Sequence, residues 1–209
     1  MKDCYFFFKN LFHIYFRAYN RLEIKGREFI PREGGLIVIS NHSSYLDPLI
    51  IGAAVNRRMT FLAKKELFSI PLVGTFVSSF SLPVSREGSS HAMIKETVNR
   101  LRNGEAIAMF PAGERDKGGD GSEAGFKRGL ELLARLSKVP VLPAYIKGAD
   151  GSLPVGGKFP RPSRISVRFA PCLPPDNNAG GNTGGVAEEN ETKSTISRAI
   201  ESIGRLKTA

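Results

Sequence analysis

LIVISNHSSYLDPLIIGAAVN, residues 36–56, passes from four aliphatic residues through a polar loop into a second apolar run. A short, continuous apolar run suits a strand buried on both faces, the kind found in parallel sheets. The second run opens with Asp47 and Pro48. Aspartate is a favoured helix N-cap and proline a favoured first helical residue, so a helix is expected from there. The segment reads as strand, polar loop and helix, one half of a βα unit. Its loop holds His42 and Asp47 five residues apart.

Outward from this unit the chain keeps alternating. REGG (32–35) supplies the turn before the first strand. MTFLAK (59–64), SLPVSR (81–86), EAIAMFP (105–111), VPVLPAYIKG (139–148) and RISVRFAP (164–171) read as further strands. SSHAMIKETVNRLRNG (89–104) is amphipathic, with Ala92 or Met93, Thr97, Val98 and Leu101 on one side and Gly104 as its stop. GFKRGLELLARLSK (125–138) reads as another helix. Strands alternating with helices predict a single α/β domain with a mixed, largely parallel sheet flanked by helices. LPPDNNAGGNTGGVAEEN (173–190) is low in complexity and reads as a flexible linker. A last helix follows, with Ile196, Ala199, Ile200, Ile203 and Leu206 on its apolar stripe. The organisation expected is an N-terminal helix at 1–24, a domain at 25–172, the linker at 173–190 and a C-terminal helix at 191–209.

The chain has 209 residues, 41% of them hydrophobic and 24% charged, enough for one domain with a substantial core. Cys4 and Cys172 lie far apart and make neither a disulfide framework nor a metal site, which favours a reducing, cytosolic-side setting. No metal and no cofactor is expected. The net charge of +10 predicts attraction to anions: nucleic acid, a phospholipid surface or a phosphorylated small molecule. The chain shows no zinc-ligand spacing, RNP-like aromatic motif or helix-turn-helix pattern, so nucleic acid is not an expected partner.

The first 20 residues hold 8 of the 19 aromatic residues. Lys9, His13, Arg17 and Arg21 recur every four positions as a basic stripe, while Phe8, Phe12, Tyr15, Tyr19 and Leu22 form an apolar face. An aromatic face beside a basic one suits a helix lying in a bilayer interface; the other reading is a first helix packed on the core with a wet basic edge. The basic residues interrupt any signal-peptide core, and no A-x-A site follows. LFSIPLVGTFVSSFSLPVS (67–85) approaches the length of a membrane span, but two prolines, a glycine and five serines make it a poor one. A buried helix or turn, followed by a strand entering near Phe80, is expected there. The localisation expected is peripheral or monotopic, at the cytoplasmic face of the cell membrane.

His42 follows a buried strand and precedes a helix, where α/β proteins place ligands and catalytic groups. His13 lies on the N-terminal helix and His91 near a helix start; only His42 combines this strand-to-helix position with a nearby acidic residue. A carboxylate accepting from one ring nitrogen sets the tautomer, stabilises the imidazolium and leaves the other nitrogen as a base. Alone, H-x4-D is a weak signal, equally satisfied by a loop histidine beside a capping aspartate.

NHSSYLD (41–47) resembles the NHxxxxD box of the glycerolipid acyltransferases, the family that includes 1-acyl-glycerol-3-phosphate acyltransferase. LPVSRE (82–87), ending in Arg86, is similar to its second box. FPAGERD (110–116) is similar to its third, usually FPEGTRS, and VPVLPA (139–144) to its fourth. FKRG (126–129) matches a segment common after the third box. The boxes keep order and spacing, and the resemblance spans about residues 22–171. It implies a glycerol-3-phosphate acyltransferase-like fold and a direct acyl transfer. His42, oriented by Asp47, would deprotonate the acceptor's hydroxyl, which attacks the thioester of acyl-CoA or acyl-carrier protein. Ser43 and Ser44 are then loop residues, and no serine or cysteine nucleophile is needed.

The resemblance also implies that Arg86, Arg115 and Lys127 bind the acceptor's phosphate, arginine by gripping two oxygens and lysine as a point charge. Backbone N–H groups around Gly113 would assist at the phosphate or the developing oxyanion. The third box departs from the pattern: Ala112 stands where glutamate is usual, Glu114 for threonine and Asp116 for serine. Glu114 is a candidate replacement for the missing carboxylate. The expected partners are a membrane phospholipid surface, a lyso-lipid acceptor and the acyl thioester. Lysophosphatidic acid is the leading acceptor, giving phosphatidic acid; a lyso-ornithine lipid or a lysophospholipid bearing a headgroup is the alternative. In a different class stands a non-catalytic basic protein that binds anionic membranes by charge.

Overall fold

The computed structural model describes residues 2–64, 81–84, 91–110, 122–154, 157, 159–175 and 194–208. Among them a seven-stranded sheet forms in the order β1-β7-β6-β2-β5-β3-β4. The strands are β1 (Glu23–Lys25), β2 (Leu36–Ser40), β3 (Met59–Lys64), β4 (Ser81–Val84), β5 (Ala106–Met109), β6 (Val141–Lys147) and β7 (Ser166–Phe169). β2 to β6 are mutually parallel, β7 is antiparallel to β6, and β1 pairs parallel with β7. The helices are α1 (Lys2–Tyr19), α2 (Asp47–Ala54), α3 (His91–Arg102), α4 (Ser122–Ser137), the single turn α5 (Ala149–Ser152) and α6 (Thr195–Thr208). The sheet is mixed and largely parallel, as the alternation of strands and helices predicted.

β2 is buried along its whole length because helices cover both faces of the sheet. Leu36 and Val38 point into a layer shared with Phe16 of α1, Ile50 and Ile51 of α2, and Phe169. Ile37 and Ile39 point into the opposite layer, with Ile94 and Leu101 of α3, Leu130 and Leu133 of α4, and Ile196 of α6. Ile94 takes the place that spacing assigned to Ala92 or Met93. Strand β1 was not expected: three residues with charged ends carry no strand signal. It forms because Leu22 N–H bonds Phe16 carbonyl and Glu23 N–H bonds that of Ile165, which steers the chain leaving α1 onto β7.

The faces of α1 differ from the expectation. Tyr5, Phe16 and the following Asn20 are buried, with Lys9, Phe12 and His13 half-buried between them. Part of the basic stripe therefore faces the protein. His13 Nδ1 donates to Ala53 carbonyl at 3.1 Å and Arg27 Nε to Ala54 carbonyl at 3.0 Å, so two basic side chains serve the carbonyl end of α2. The Tyr5 hydroxyl accepts from Met59 N–H at 2.9 Å, and Arg58 lies 5.4 Å from its ring centre. The face left outward carries Phe7 (65% exposed), Leu11 (48%) and Ile14 (65%), one helical row. Tyr19, expected on the apolar face, is exposed at its end.

On α6, Ile196 and Ala199 are buried and Ile200 lies at the margin. Ser194 caps it by accepting from Ser197 N–H at 3.2 Å. No described helix is long and apolar enough to cross a membrane. Of the apolar stretch 67–85, residues 67–80 and 85 lie outside the described residues; Ser81–Val84 is strand β4.

Candidate active site

Parallel strands send their carboxyl ends to one edge of the sheet, and loops leaving neighbouring strands meet there. Three such loops define the candidate site. β2 leads into the polar loop 41–46, β5 into Phe110, and β6 into Gly148 and α5. The β2–β5 register pairs Ile39 with Met109, and the β2–β6 register pairs Ser40 with Ala144. β2 and β5 therefore end within one residue of each other, and β6 runs three residues further, to Lys147.

Asn41 bolts the first loop down. Its amide nitrogen donates to Ile146 carbonyl at 2.8 Å and its oxygen accepts from Ile146 N–H at 2.7 Å, a backbone-like pairing across to β6. The loop then turns so that the N–H groups of Ser43 and Ser44 point at one atom, Asp47 Oδ2, at 2.7 and 2.8 Å. The same oxygen accepts from His42 Nδ1 at 2.8 Å. A carboxylate can only accept, so Nδ1 carries the hydrogen and Nε2 is the basic nitrogen of the neutral ring.

Burial separates the partners. The Asp47 side chain is wholly inaccessible, whereas that of His42 keeps 25% of its surface exposed. A buried carboxylate is tolerable only when hydrogen-bonded, and Asp47 has its bonds on one side: among the described residues no hydrogen-bond donor reaches Oδ1. Asp47 was expected to cap α2. Instead it is the first residue of that helix, Leu46 stands at the cap position, and no side chain caps the end. The physical reason is direction: Oδ2 is turned back onto the preceding N–H groups and the imidazole, away from those of α2.

Two further side chains frame the pair. The Phe110 ring lies against the His42 ring, centres 4.8 Å apart and planes 32° from parallel. The Ser44 hydroxyl donates to Leu153 carbonyl at 2.7 Å and accepts from Leu46 N–H at 3.2 Å, which gives this buried serine a structural post. Sequence reasoning noticed Phe110 only as part of the third box and did not foresee its contact with His42. The signal lay in the strand pairing.

Of the other site residues expected from sequence, Lys127 is exposed in the second turn of α4, and among the described residues no hydrogen bond or ion pair joins it to His42 or Asp47. Arg86, Gly113, Glu114 and Arg115 lie outside the described residues. A cleft of about 430 Å3 lined by Arg32, Arg57, Arg58, Thr60 and Glu105 opens at the amino ends of the strands, the edge away from His42.

A sequence profile described as Acyltransferase matches residues 21–147, more than half of the chain. The 1-acyl-sn-glycerol-3-phosphate acyltransferase of Bacillus subtilis is 29% identical over 129 residues, covering 61% of this chain and 63% of that protein. A chloroplastic enzyme of the same name from Brassica napus is 28% identical over 142 residues, 66% of this chain and 40% of its own length. Among solved structures, the 1-acyl-sn-glycerophosphate (LPA) acyltransferase PlsC from Thermotoga maritima superposes with a TM-score of 0.70 and 25% identity, covering all of this chain and 80% of that one. The chain thus belongs to the acyltransferase family, on a fold shared with a glycerophospholipid acyltransferase. It spans less than two thirds of the length of these two curated relatives.

Proposed function

We propose that this protein transfers a fatty acyl group from an acyl thioester, carried on CoA or on acyl-carrier protein, to the free hydroxyl of a lyso-glycerophospholipid, with lysophosphatidic acid as acceptor and phosphatidic acid as product. The observation that carries the proposal is the 2.8 Å bond from His42 Nδ1 to the buried Asp47 carboxylate, at the carboxyl edge of the parallel strands. His42 Nε2 takes the acceptor's hydroxyl proton as that oxygen attacks the thioester carbonyl. Asp47 stabilises the imidazolium so formed and keeps Nε2 turned toward the acceptor. The tetrahedral adduct collapses by breaking the carbon–sulfur bond, and the imidazolium returns the proton to the leaving thiolate. Asn41 and Ser44 hold the loop that carries both groups.

Phosphate recognition falls to Arg86, Arg115 and Lys127, assisted by N–H groups near Gly113, while Glu114 replaces the acidic contact to the acceptor that Ala112 cannot make. The net charge of +10 supports an anionic acceptor. The outward row Phe7, Leu11 and Ile14 supports α1 lying on a phospholipid surface, the source of the acceptor. Ala112, Glu114 and Asp116 in the third box favour a second reading, in which a lyso-ornithine lipid or another lyso-lipid is the acceptor. Simple binding to anionic membranes does not account for a polar pair held this tightly between strand and helix.

The test is acyl transfer by purified protein from labelled acyl-CoA and acyl-carrier protein to a panel of lyso-lipids. Wild type acylates at least one acceptor, and His42→Ala lowers turnover by about 10²–10⁴. Folded wild type inactive on every acceptor, or His42→Ala as active as wild type, refutes the reading.

A further inference from the structure

Among the described residues Phe159 is the most exposed large apolar side chain, at 79%. A lone exposed phenylalanine needs no explanation, but this one is neither isolated nor loosely held. Its loop is fastened to the end of α1 and to the turn beside the active site. The Tyr19 hydroxyl donates to Pro160 carbonyl at 3.3 Å. Arg161 N–H donates to Ser152 carbonyl at 2.7 Å, and the Ser152 hydroxyl donates back to Arg161 carbonyl at 2.9 Å. The buried Asn20 amide donates to the Ser152 hydroxyl at 3.0 Å. Pro160 restricts the backbone of Phe159 to extended conformations. The ring is thus presented outward by residues braced against Tyr19 and Ser152, beside the carboxyl end of α1 and off the line of the Phe7, Leu11 and Ile14 row.

Charge at this corner favours an anionic surface. Arg17, Arg21, Arg161 and Arg164 are exposed on these elements, against the exposed carboxylates Glu23 and Asp150. A helix lying on a bilayer defines only a line, about 27 Å long for 18 residues. The domain can still roll about that line. A contact off the axis removes the roll.

We propose that Phe159 is a second membrane contact, entering the interfacial layer of an anionic phospholipid leaflet beside α1, and that it sets the roll so that the edge of the sheet carrying His42 faces the lipid. This rests on the reading that α1 lies on the membrane. The link to the site is short: α5 joins the Phe159 loop through Ser152, and its next residue, Leu153, accepts from the Ser44 hydroxyl.

The chain has no tryptophan, so one introduced indole reports alone. Phe159→Trp and, separately, Ile14→Trp are made in the full chain and titrated with phosphatidylcholine vesicles containing phosphatidylglycerol, with co-sedimentation run alongside. Both indoles are expected to shift to shorter wavelength and to be quenched by brominated acyl chains. Phe159→Ser should weaken partitioning about tenfold. If Ile14→Trp shifts and Phe159→Trp stays at the wavelength of an indole in water on vesicle-bound protein, the Phe159 contact is refuted while α1 docking stands. If wild type does not sediment with these vesicles, α1 docking fails as well. A shift at position 159 that needs no vesicles and grows with protein concentration means a second copy covers the ring, and also overturns the proposal.

Discussion

The Ser44 hydroxyl donates to the carbonyl oxygen of Leu153 at 2.7 Å, so the loop that carries His42 is tied to the turn that follows β6. The two residues are 109 positions apart, and both are needed to hold one edge of the sheet.

Ser44→Ala removes that donor and the acceptor for Leu46 N–H, leaving buried backbone groups without partners. A loss of about 1–3 kcal/mol follows, or roughly 2–10 °C in Tm for a domain of this size. Thermal denaturation followed by circular dichroism measures it. Because Asn41 still bolts the other end of the loop, turnover should fall far less than in His42→Ala.

Asp47→Asn separates charge from shape. The amide oxygen can take over the Oδ2 position and keep the Ser43 and Ser44 N–H bonds. The amide nitrogen then occupies the place of Oδ1, an atom with no hydrogen-bond partner among the described residues. That misfit destabilises by about 1–3 kcal/mol. Turnover should fall by about 10²–10⁴, because a neutral amide stabilises the imidazolium poorly. Near-wild-type turnover would remove Asp47 from the mechanism.

Arg57 clamps the amino edge of the sheet by donating to the carbonyls of Pro31 at 3.1 Å, Gly34 at 2.6 Å and Gly104 at 2.7 Å. Its partial burial lowers the guanidinium pKa, yet the group stays charged at any physiological pH. A lysine cannot reproduce the fork. Arg57→Lys is therefore expected to lower stability by about 1–3 kcal/mol, while turnover of the folded fraction stays unchanged. Urea denaturation with an acyl-transfer assay in parallel checks both.

Gly148 lies between β6 and α5 with φ near +85°, and a Cβ there would collide with Arg164 carbonyl. Gly148→Ala combines left-handed strain with a backbone clash, at a junction that positions Leu153. The expected outcome is poor expression of soluble protein, with any recovered fraction melting well below wild type. A variant as stable as wild type would mean that this junction rearranges freely.

Burial pushes the Cys172 thiol up from 9.0 to about 11, and its hydrogen is directed at Phe29 carbonyl, 3.4 Å away. With Cys4→Ser leaving a single thiol, alkylation at pH 8 should run roughly a hundredfold slower in the native protein than in urea, in proportion to the thiolate fraction. The native thiol keeps its proton to higher pH than the unfolded one. Its contribution to stability is thus complete below about pH 9 and is lost as pH rises toward 11. Equal alkylation rates in the two states would show that the site opens freely.

The alternation of apolar runs, the glycine stops and the proline after Asp47 act between residues close in the chain. They gave away the elements, the largely parallel sheet and the loop that carries His42. The four boxes pointed to the family before any geometry was known. Strand β1 escaped because its pairing comes from β7, more than 140 residues away, rather than from its own three residues. The faces of α1 escaped for another reason. The apolar face of α1 is wide enough to be buried along several alternative lines, and periodicity cannot choose among them. The choice was made by α2 and β3, whose carbonyl end and first N–H wanted His13 and Tyr5.

Local pattern, read in one dimension, was sufficient to bring a histidine and an aspartate to the end of a buried strand. It could not say that the aspartate would turn away from its own helix, that Phe110 would lie against the imidazole, or that Leu153 would hold the loop. Those contacts join residues that become neighbours only when β5 and β6 flank β2. They are set by sheet order and register, which no stretch of sequence carries by itself.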